Sequence, residues 1–194
     1  MTLIFFIRSS SVNISNYSIK DLPGSTGRLD VISRCILAAL LNNDSFERDV
    51  QIWVFLDNYG TFIFNTNLLD YITFPKNELL LTDHFVDLIQ KKESRKSNPL
   101  SSVEILKKDI LDSLIQFQKL EYSIFILKED GDDFFNHLQE ISQKKKLLFV
   151  VGSQSGDFIN SGELFSLNFP TICLGTQSYL ASSVIRLLKL YVLK

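Results

Sequence analysis

The feature of this sequence that most restricts its fold is an alternation of apolar and amphipathic segments in the last third of the chain. Three continuously apolar runs predict strands, and the segment after each run predicts a helix. The strands are expected at residues 123–127, 147–151 and 171–174, and the helices at residues 133–141, 161–167 and 179–193. Strands without a polar face are typical of a parallel sheet covered by helices on both sides. The pattern therefore predicts an α/β protein.

The first two thirds of the chain add elements of the same kinds. Apolar periodicity predicts strands at residues 2–8, 51–57 and 61–64, and helices at residues 28–41, 81–92 and 103–117. A turn signal at residues 59–60 indicates that the second and third of these strands form a hairpin. With 194 residues, of which 45% are hydrophobic, the chain is long enough for one substantial core. We therefore expect a single domain over residues 1–194.

Charge and cysteine usage exclude several classes of protein. A net charge of -2 argues against a protein that coats polyanions, although a local basic face is compatible with it. Cys35 and Cys173 lie in apolar segments far apart, which predicts two buried thiols, no disulfide and a reducing compartment. Two isolated histidines and no Cys-x-x-Cys motif predict no metal site. Because the apolar run at residues 3–7 is too short to span a bilayer, we expect a cytoplasmic protein without membrane association.

A charged string beside a tight turn is the strongest candidate for a functional site. A Pro-Gly pair at residues 23–24 and a second glycine lead into a predicted helix. Arg28, Asp30 and Arg34 follow at once, although no turn requires them. Spacing alone leaves two interpretations open. Asp30 and Arg34, four residues apart, would form an ordinary ion pair on a helix surface, or the charged residues line a substrate pocket.

Glycine also marks the ends of the three C-terminal strands, in segments 127–131, 152–156 and 174–178. Open α/β sheets bind ligands at the carboxyl ends of their strands, which indicates a nucleotide-like ligand. The alternative is that each glycine only turns its strand toward the next helix. Neither Gly-x-Gly-x-x-Gly nor a phosphate-loop lysine motif occurs, so a pyrophosphate cofactor is not indicated.

These segments resemble one known family. Residues 20–34 are similar to the signature of the TrmY family, the archaeal tRNA pseudouridine-54 N1-methyltransferases of the SPOUT class, and residues 174–182 are similar to its cofactor loop. Asn98-Pro99, the 127–131 strand end and Gly152 fall between them in the family's order. The resemblance extends over nearly the whole chain.

The resemblance implies a SPOUT-type α/β fold, with a mostly parallel sheet, helices on both faces and a C-terminal trefoil knot. It also implies a homodimer that binds S-adenosyl-L-methionine and methylates N1 of pseudouridine 54 in the tRNA T-loop. By position, the cofactor-binding residues would be Leu127, Gly152, Leu174, Gly175, Thr176, Gln177, Ser178, Tyr179 and Val184.

The same resemblance favours Arg28, Asp30 and Arg34 as catalytic residues. A carboxylate such as Asp30 could accept the N1 proton, and a guanidinium such as Arg28 could stabilise charge on the flanking carbonyl oxygens. Arg34 would hold a phosphate or Asp30 itself. The division of roles between Arg28 and Asp30 stays open at this point.

Three positions depart from the family pattern. Family members commonly carry Gly-Asp where this chain has Gly152-Ser153, Pro at Thr176 and often Cys at Val184. Thr176 and Val184 are compatible with backbone contacts and an apolar wall, whereas Ser153 removes a carboxylate. Two alternatives therefore remain: the same chemistry on rRNA, or a non-catalytic RNA-binding scaffold dimer.

Two basic clusters are candidate contacts to tRNA phosphates. They comprise Lys91, Lys92, Arg95 and Lys96 in one segment and Lys144, Lys145 and Lys146 in another. For each cluster taken separately, a solvated surface is the favoured interpretation. The apolar closing helix at residues 179–193 fits a core helix or a helix packed against a second subunit.

Overall fold

The computed structural model describes residues 1–90, 98–152, 158–175 and 177–193. Their centre is a seven-stranded sheet of order β4-β3-β2-β1-β6-β5-β7. The strands are β1 (Thr2–Ser9), β2 (Val50–Leu56), β3 (Gly60–Asn65), β4 (Glu104–Leu106), β5 (Ser123–Asp133), β6 (Lys146–Val151) and β7 (Thr171–Cys173). Strands β2, β1, β6, β5 and β7 are parallel to one another, and β3 and β4 are antiparallel additions at the β2 edge. The mostly parallel sheet and the predicted hairpin are confirmed.

Seven helices lie between and beside these strands in the described residues. They are α1 (Leu22–Ser25), α2 (Leu29–Leu40), α3 (Glu78–Ile89), α4 (Ile110–Lys119), α5 (Phe134–Ser142), α6 (Gly162–Ser166) and α7 (Ala181–Val192). The two faces of β1 separate two cores. Leu3, Phe5 and Ile7 pack with α2, α3, α5 and α7. Ile4 and Phe6 pack with α4 and α6 on the opposite face. Helices therefore cover both faces, as the apolar strands predicted.

One predicted helix is wrong in its first half. Residues 103–117 show helical periodicity, but Glu104–Leu106 forms the edge strand β4 and pairs with β3. The helix begins only at Ile110, where the Asp109 side chain accepts a hydrogen bond from Leu111 N at 2.7 Å. An N-cap of this kind fixes the start of a helix. The apolar periodicity of the sequence continues through the three residues of β4, so it placed the start of the helix too early.

The two cysteines differ from each other. Cys35 is fully buried in α2, and this burial raises the pKa of its thiol to about 12. Cys173, predicted to be buried, is partly exposed at the end of β7. It lies at the carboxyl edge of the sheet, which gives this thiol an accessible position.

A buried lysine fixes α7 against α2. Lys189 Nζ donates hydrogen bonds to the carbonyls of Ala38 at 2.9 Å and Leu41 at 2.8 Å, and it lies 3.3 Å from Glu47 Oε1. The ammonium neutralises the partial negative charge of the last carbonyls of α2. Burial lowers the pKa of Lys189, against the opposing effect of Glu47. This contact sets the position of α7, and of the loop before it, relative to α2.

No helix within the described residues is long and apolar enough to span a bilayer. The trefoil knot and the extent of the domain stay predictions from the resemblance.

Candidate active site

The segment before α2 is a short, tightly bonded turn. Asp21 caps α1 by accepting a hydrogen bond from Gly24 N at 3.1 Å. Thr26 is fully buried, and its hydroxyl donates to Leu22 O and accepts from Leu29 N. Pro23 and Gly24 thus belong to a one-turn helix rather than to the turn expected from the sequence. The chain reverses direction at the next glycine.

Gly27 provides that reversal and is held against a second loop. Its φ is +57°, and a Cβ at this position would lie 1.9 Å from Ser11 O. Ser11 Oγ donates to Gly27 O at 3.0 Å, and Asn13 N donates to Thr26 O at 3.1 Å. A side chain is excluded here both by the left-handed backbone and by the close approach. The loop after β1 therefore fixes where α2 begins.

Arg28 continues this left-handed backbone although it has a Cβ. Its φ is 72° and its ψ is 31°, and it occupies the N-cap of α2 without a side-chain cap hydrogen bond. Such a conformation costs a non-glycine residue about 1 kcal/mol. The surrounding hydrogen bonds maintain it, and strain of this kind is concentrated at functional sites.

Arg28 and Arg34 are both held by one buried carboxylate. Arg28 donates from Nε and Nη2 to the two oxygens of Asp30 at 3.1 and 3.2 Å. Arg34 Nη2 donates to Asp30 Oδ2 at 3.3 Å. The Asp30 side chain is 3% exposed, whereas Arg28 and Arg34 are 38% and 35% exposed. The hydrogen bond to Asp30 raises the pKa of Arg28 above its ordinary value.

A fourth charge extends this network to α3. Arg34 Nε lies 3.1 Å from Glu78 Oε2, in the first turn of α3. The distance is that of an ion pair, but the N–H is not aligned with the carboxylate. Within the described part of the chain, Arg34 Nε has no hydrogen-bond partner. The i,i+4 ion pair expected from spacing therefore exists, as one part of a larger network.

A pocket of about 750 Å³ lies at the carboxyl edge of the sheet, beside this network. Its volume is in the range of about 300–1,000 Å³ typical of small-molecule sites. One side, here called the arginine wall, consists of Arg28, Val31 and Arg34. The other side, here called the strand-end wall, combines the ends of β5, β6 and β7 with the start of α7. It includes Leu127, Val151, Gly152, Leu174, Gly175, Gln177, Ser178, Tyr179 and Val184.

A bulge in β5 shapes the strand-end wall. Leu127 and Asp132 both pair with Ile172 of β7, so that residues 128–131 loop out between them. Gly131 makes this possible, because a Cβ there would lie 2.7 Å from the backbone of Ile172. The looped residues Lys128, Glu129 and Asp130 line the pocket. The sequence had marked this strand end by its glycine alone.

The structure brings most of the predicted site residues together. Arg28, Arg34 and the described cofactor candidates all line one pocket, within one chain. Asp30 is not on its surface and lies behind the two arginines. Thr176, Ser153 and the basic cluster at residues 91–97 lie outside the described residues.

The second basic cluster lies away from the pocket. Lys146 begins β6, and the pocket lies where that strand ends, about 17 Å further along a six-residue strand. Lys144 pairs with Glu140 at 2.9 Å, and Lys146 donates to Leu120 O at 2.9 Å. Lys144 and Lys146 thus have local partners, and the cluster does not line the pocket. Contact of these lysines with tRNA phosphates outside the pocket stays a prediction.

Some pocket residues lie outside the segments that the sequence singled out for a site. Ile159 and Cys173 line the pocket because of strand order, whereas Val31 and Glu129 lie inside such segments but had no role assigned to their side chains. Only the order of the strands brings the ends of β5 and β7 side by side. No group of three or more His, Cys, Asp or Glu side chains suited to a metal ion occurs among the described residues.

The pocket suits a ligand with one flat apolar part and one charged part. The strand-end wall offers apolar side chains and main-chain groups, and the arginine wall offers two guanidinium groups fixed in place. Guanidinium groups held in advance stabilise charge that develops on a reacting molecule without reorganisation. The arrangement thus fits a transfer reaction between two bound molecules.

The same fold occurs in a solved structure. The chain matches the crystal structure of Archaeoglobus fulgidus Nep1 bound to S-adenosylhomocysteine with a TM-score of 0.65 at 20% identity, over 99% of this chain and 97% of that chain. The two chains share one fold, which agrees with the SPOUT-type α/β fold expected from the resemblance. Residues 1–193 match the family described as "Putative SAM-dependent RNA methyltransferase", and the chain belongs to this family. It is an S-adenosylmethionine-dependent RNA methyltransferase.

Curated relatives agree with the family assignment. A Pyrococcus abyssi protein is 26% identical in an alignment 202 positions long, which covers 97% of this chain and 96% of the relative. A Methanococcus aeolicus protein is 28% identical over 167 residues, or 79% of each chain. Both are named tRNA (pseudouridine(54)-N(1))-methyltransferase. The predicted family and the methyl donor are confirmed.

Proposed function

We propose that this enzyme methylates N1 of pseudouridine at position 54 in the tRNA T-loop. The names of the relatives support this substrate. The observation that carries the proposal is that Arg28 and the segment just before α7, with Gly175 and Tyr179, line the same pocket within one chain. Two reactants held on opposite walls of one pocket would be positioned for direct transfer.

The strand-end wall binds the cofactor in this proposal. Leu127, Leu174 and Val184 would supply the apolar surface for the adenine ring, and main-chain groups near Gly152 and Gly175 would supply hydrogen bonds to its edge. When bound, S-adenosyl-L-methionine supplies an electrophilic methyl group on a sulfonium. The chain contributes shape and main-chain hydrogen bonds, which exclude water from the reacting atoms.

The arginine wall receives the pseudouridine. N1 carries a weakly acidic, imide-like proton, and its removal places negative charge on the ring and its carbonyl oxygens. Arg28, partly exposed to the pocket and already oriented, stabilises that charge. As the N1–C bond forms, the C–S bond would break with its electron pair staying on sulfur, and the N1 proton would pass to solvent water at the open side of the pocket.

Asp30 acts as a positioning residue in this scheme. Both of its oxygens accept hydrogen bonds from arginines, and its side chain is 3% exposed. The sequence had offered it as a proton acceptor, but this geometry favours orientation of Arg28 and Arg34. The pH profile of Asp30→Asn separates the roles. If Asp30 only positions the arginines, Asp30→Asn lowers the rate by the same factor at every pH. If Asp30 accepts the proton, the substitution changes the shape of the pH–rate profile.

A homodimer accompanies this function in our proposal. Helix α7 buries Ile185, Leu188 and Val192 in the core but leaves Leu190 exposed, and Leu180 just before it is exposed as well. A second subunit would cover these side chains. Sedimentation equilibrium of the wild type should give twice the chain mass, and Leu190→Asp should shift it toward the monomer.

The substrate assignment is tested with two tRNA transcripts that differ at one nucleotide. One carries pseudouridine at position 54, and the matched control carries uridine there. Nucleoside mass spectrometry after incubation with S-adenosyl-L-methionine should find N1-methylpseudouridine only in the first. Methylation of an rRNA fragment in preference to tRNA would replace the substrate, and cofactor binding without any methylation would favour the scaffold alternative.

A further inference from the structure

Glu129 places an uncompensated carboxylate on the strand-end wall. It lies in the looped-out part of β5, and its Oε1 accepts a hydrogen bond from Ser178 Oγ at 2.6 Å. Both residues line the pocket. The hydrogen bond joins the looped-out part of β5 to the segment between β7 and α7, so it restrains the orientation of the carboxylate. It occupies one oxygen, which leaves Oε2 for other contacts.

The other charged side chains that line the pocket in the described part of the chain are paired. Lys128 Nζ lies 3.2 Å from Asp130 Oδ2, and Asp30 holds the two arginines. Among the described residues, Glu129 takes part in no ion pair and has the neutral Ser178 hydroxyl as its hydrogen-bond donor. Glu129 is therefore the pocket carboxylate whose charge no neighbouring cation balances.

We propose that Glu129 is the counter-charge for the sulfonium, so that the pocket retains S-adenosyl-L-methionine in preference to S-adenosylhomocysteine. This inference rests on the proposed location of the cofactor at the strand-end wall. Both molecules carry the same ammonium and carboxylate, and only the methyl donor carries a third charge at sulfur. Methyl transfer leaves a neutral thioether, because sulfur keeps the electron pair of the C–S bond. The attraction to Glu129 is lost at that step, which favours product release.

The proposed attraction between Glu129 and the sulfonium also predicts a change in the kinetic constants. A carboxylate near the sulfonium stabilises the bound reactant, but the positive charge is already dispersing in the transition state. Such an interaction lowers KM without raising kcat. Glu129→Gln should therefore raise KM for S-adenosyl-L-methionine and leave kcat equal or slightly higher. A structural defect would lower kcat instead.

The experiment compares three ligands by calorimetric titration: S-adenosyl-L-methionine, S-adenosylhomocysteine and sinefungin, which carries a protonated amine in place of the sulfonium. Glu129→Gln should weaken binding of the two cationic ligands by about three- to tenfold, as expected for one charge contact at a solvated site. Binding of S-adenosylhomocysteine should change less than twofold. At 1 M salt the difference should shrink, because the Debye length falls to about 3 Å.

Glu140→Gln is the matched control. It removes the same charge from α5, where Glu140 pairs with Lys144 away from the pocket. It should leave all three affinities unchanged. If it reproduces the effect of Glu129→Gln, net charge rather than position is responsible and the inference is wrong.

Three further outcomes separate this inference from the proposal beneath it. Equal weakening of all three ligands by Glu129→Gln would mean that Glu129 contacts a group common to them, and the sulfonium role would be overturned. If none of the ligands binds the wild type, the cofactor location itself fails. If all bind and Glu129→Gln changes nothing, only the role of Glu129 fails.

Discussion

The two walls of the pocket achieve their geometry by opposite means. The arginine wall consists of charged side chains at a single helix start, held by a buried carboxylate and a strained backbone. The strand-end wall draws on three strands and a loop, and it combines apolar side chains and main-chain groups with the charged bulge of β5. The first is local in sequence and depends on side-chain chemistry. The second is assembled by topology and depends on shape, so substitutions in the two walls should fail in different ways.

The largest expected effect is on catalysis, from the arginine wall. Arg28→Ala removes the guanidinium proposed to stabilise charge on the pyrimidine, and kcat should fall by about 10²- to 10³-fold. The dissociation constant for S-adenosyl-L-methionine should stay within twofold, because that ligand is assigned to the other wall. Single-turnover methylation and calorimetry measure the two quantities.

Arg48→Ala serves as the comparison for this substitution. Arg48 is exposed just before β2, at the edge of the sheet opposite the pocket. It has the same charge, and its loss should leave kcat within twofold. Equal loss of cofactor affinity and rate in Arg28→Ala would make Arg28 a structural residue and would remove the distinction between the walls.

The next largest effect is expected on folding stability. It shows whether the arginine wall depends on the left-handed backbone of the turn before α2. Gly27→Ala forces a Cβ into Ser11 O and a side chain into positive φ. The free energy of unfolding should fall by about 2–4 kcal/mol, as for other severe backbone substitutions. Chemical denaturation followed by circular dichroism measures it.

Gly162→Ala provides the reference for Gly27→Ala. No atom lies within 4 Å of a Cβ at Gly162, in the first turn of α6. This substitution should be neutral or stabilise by up to about 1 kcal/mol, because alanine restricts the unfolded chain. A Gly27→Ala protein as stable as Gly162→Ala would show that the turn before α2 tolerates another backbone path.

The smallest effect of the series concerns the strand-end wall. Leu127→Ala removes part of an apolar surface, and the dissociation constant for S-adenosyl-L-methionine should rise about tenfold. kcat at saturating cofactor should change little. Leu120→Ala, at an exposed leucine before β5, should leave both quantities unchanged. A fall in kcat without a loss of affinity would place Leu127 in the chemical step rather than in cofactor binding.

The contrast between the walls also explains what the sequence could predict. Arg28, Asp30 and Arg34 attracted attention because their charges exceed what a turn needs, and the strand ends because glycine marks them. The left-handed backbone of Arg28 and the burial of Asp30 were hidden, because both depend on the loop after β1 and on packing around α2. Local periodicity also failed at β4, since only its pairing with β3 makes residues 104–106 extended.

Glu78 and Glu129 show the same limit for charged residues. Glu78 approaches Arg34 from α3, and Glu129 reaches the pocket through a bulge against β7. Glu78 belongs to no motif, and Glu129 lies in a strand-end segment that was marked by its glycine without a role for the carboxylate. Their positions follow from long-range packing, which a single sequence does not specify residue by residue.

The accessible thiol at the pocket allows the most direct test of where the cofactor binds. Cys173 is partly exposed on the strand-end wall, whereas Cys35 is fully buried with its pKa raised to about 12. Iodoacetamide should therefore modify Cys173 and leave Cys35 intact in the folded protein, as peptide mass spectrometry can resolve. Saturating S-adenosylhomocysteine should slow alkylation of Cys173 at least tenfold. Unchanged alkylation at a cofactor concentration that saturates binding would contradict a cofactor site at the strand-end wall.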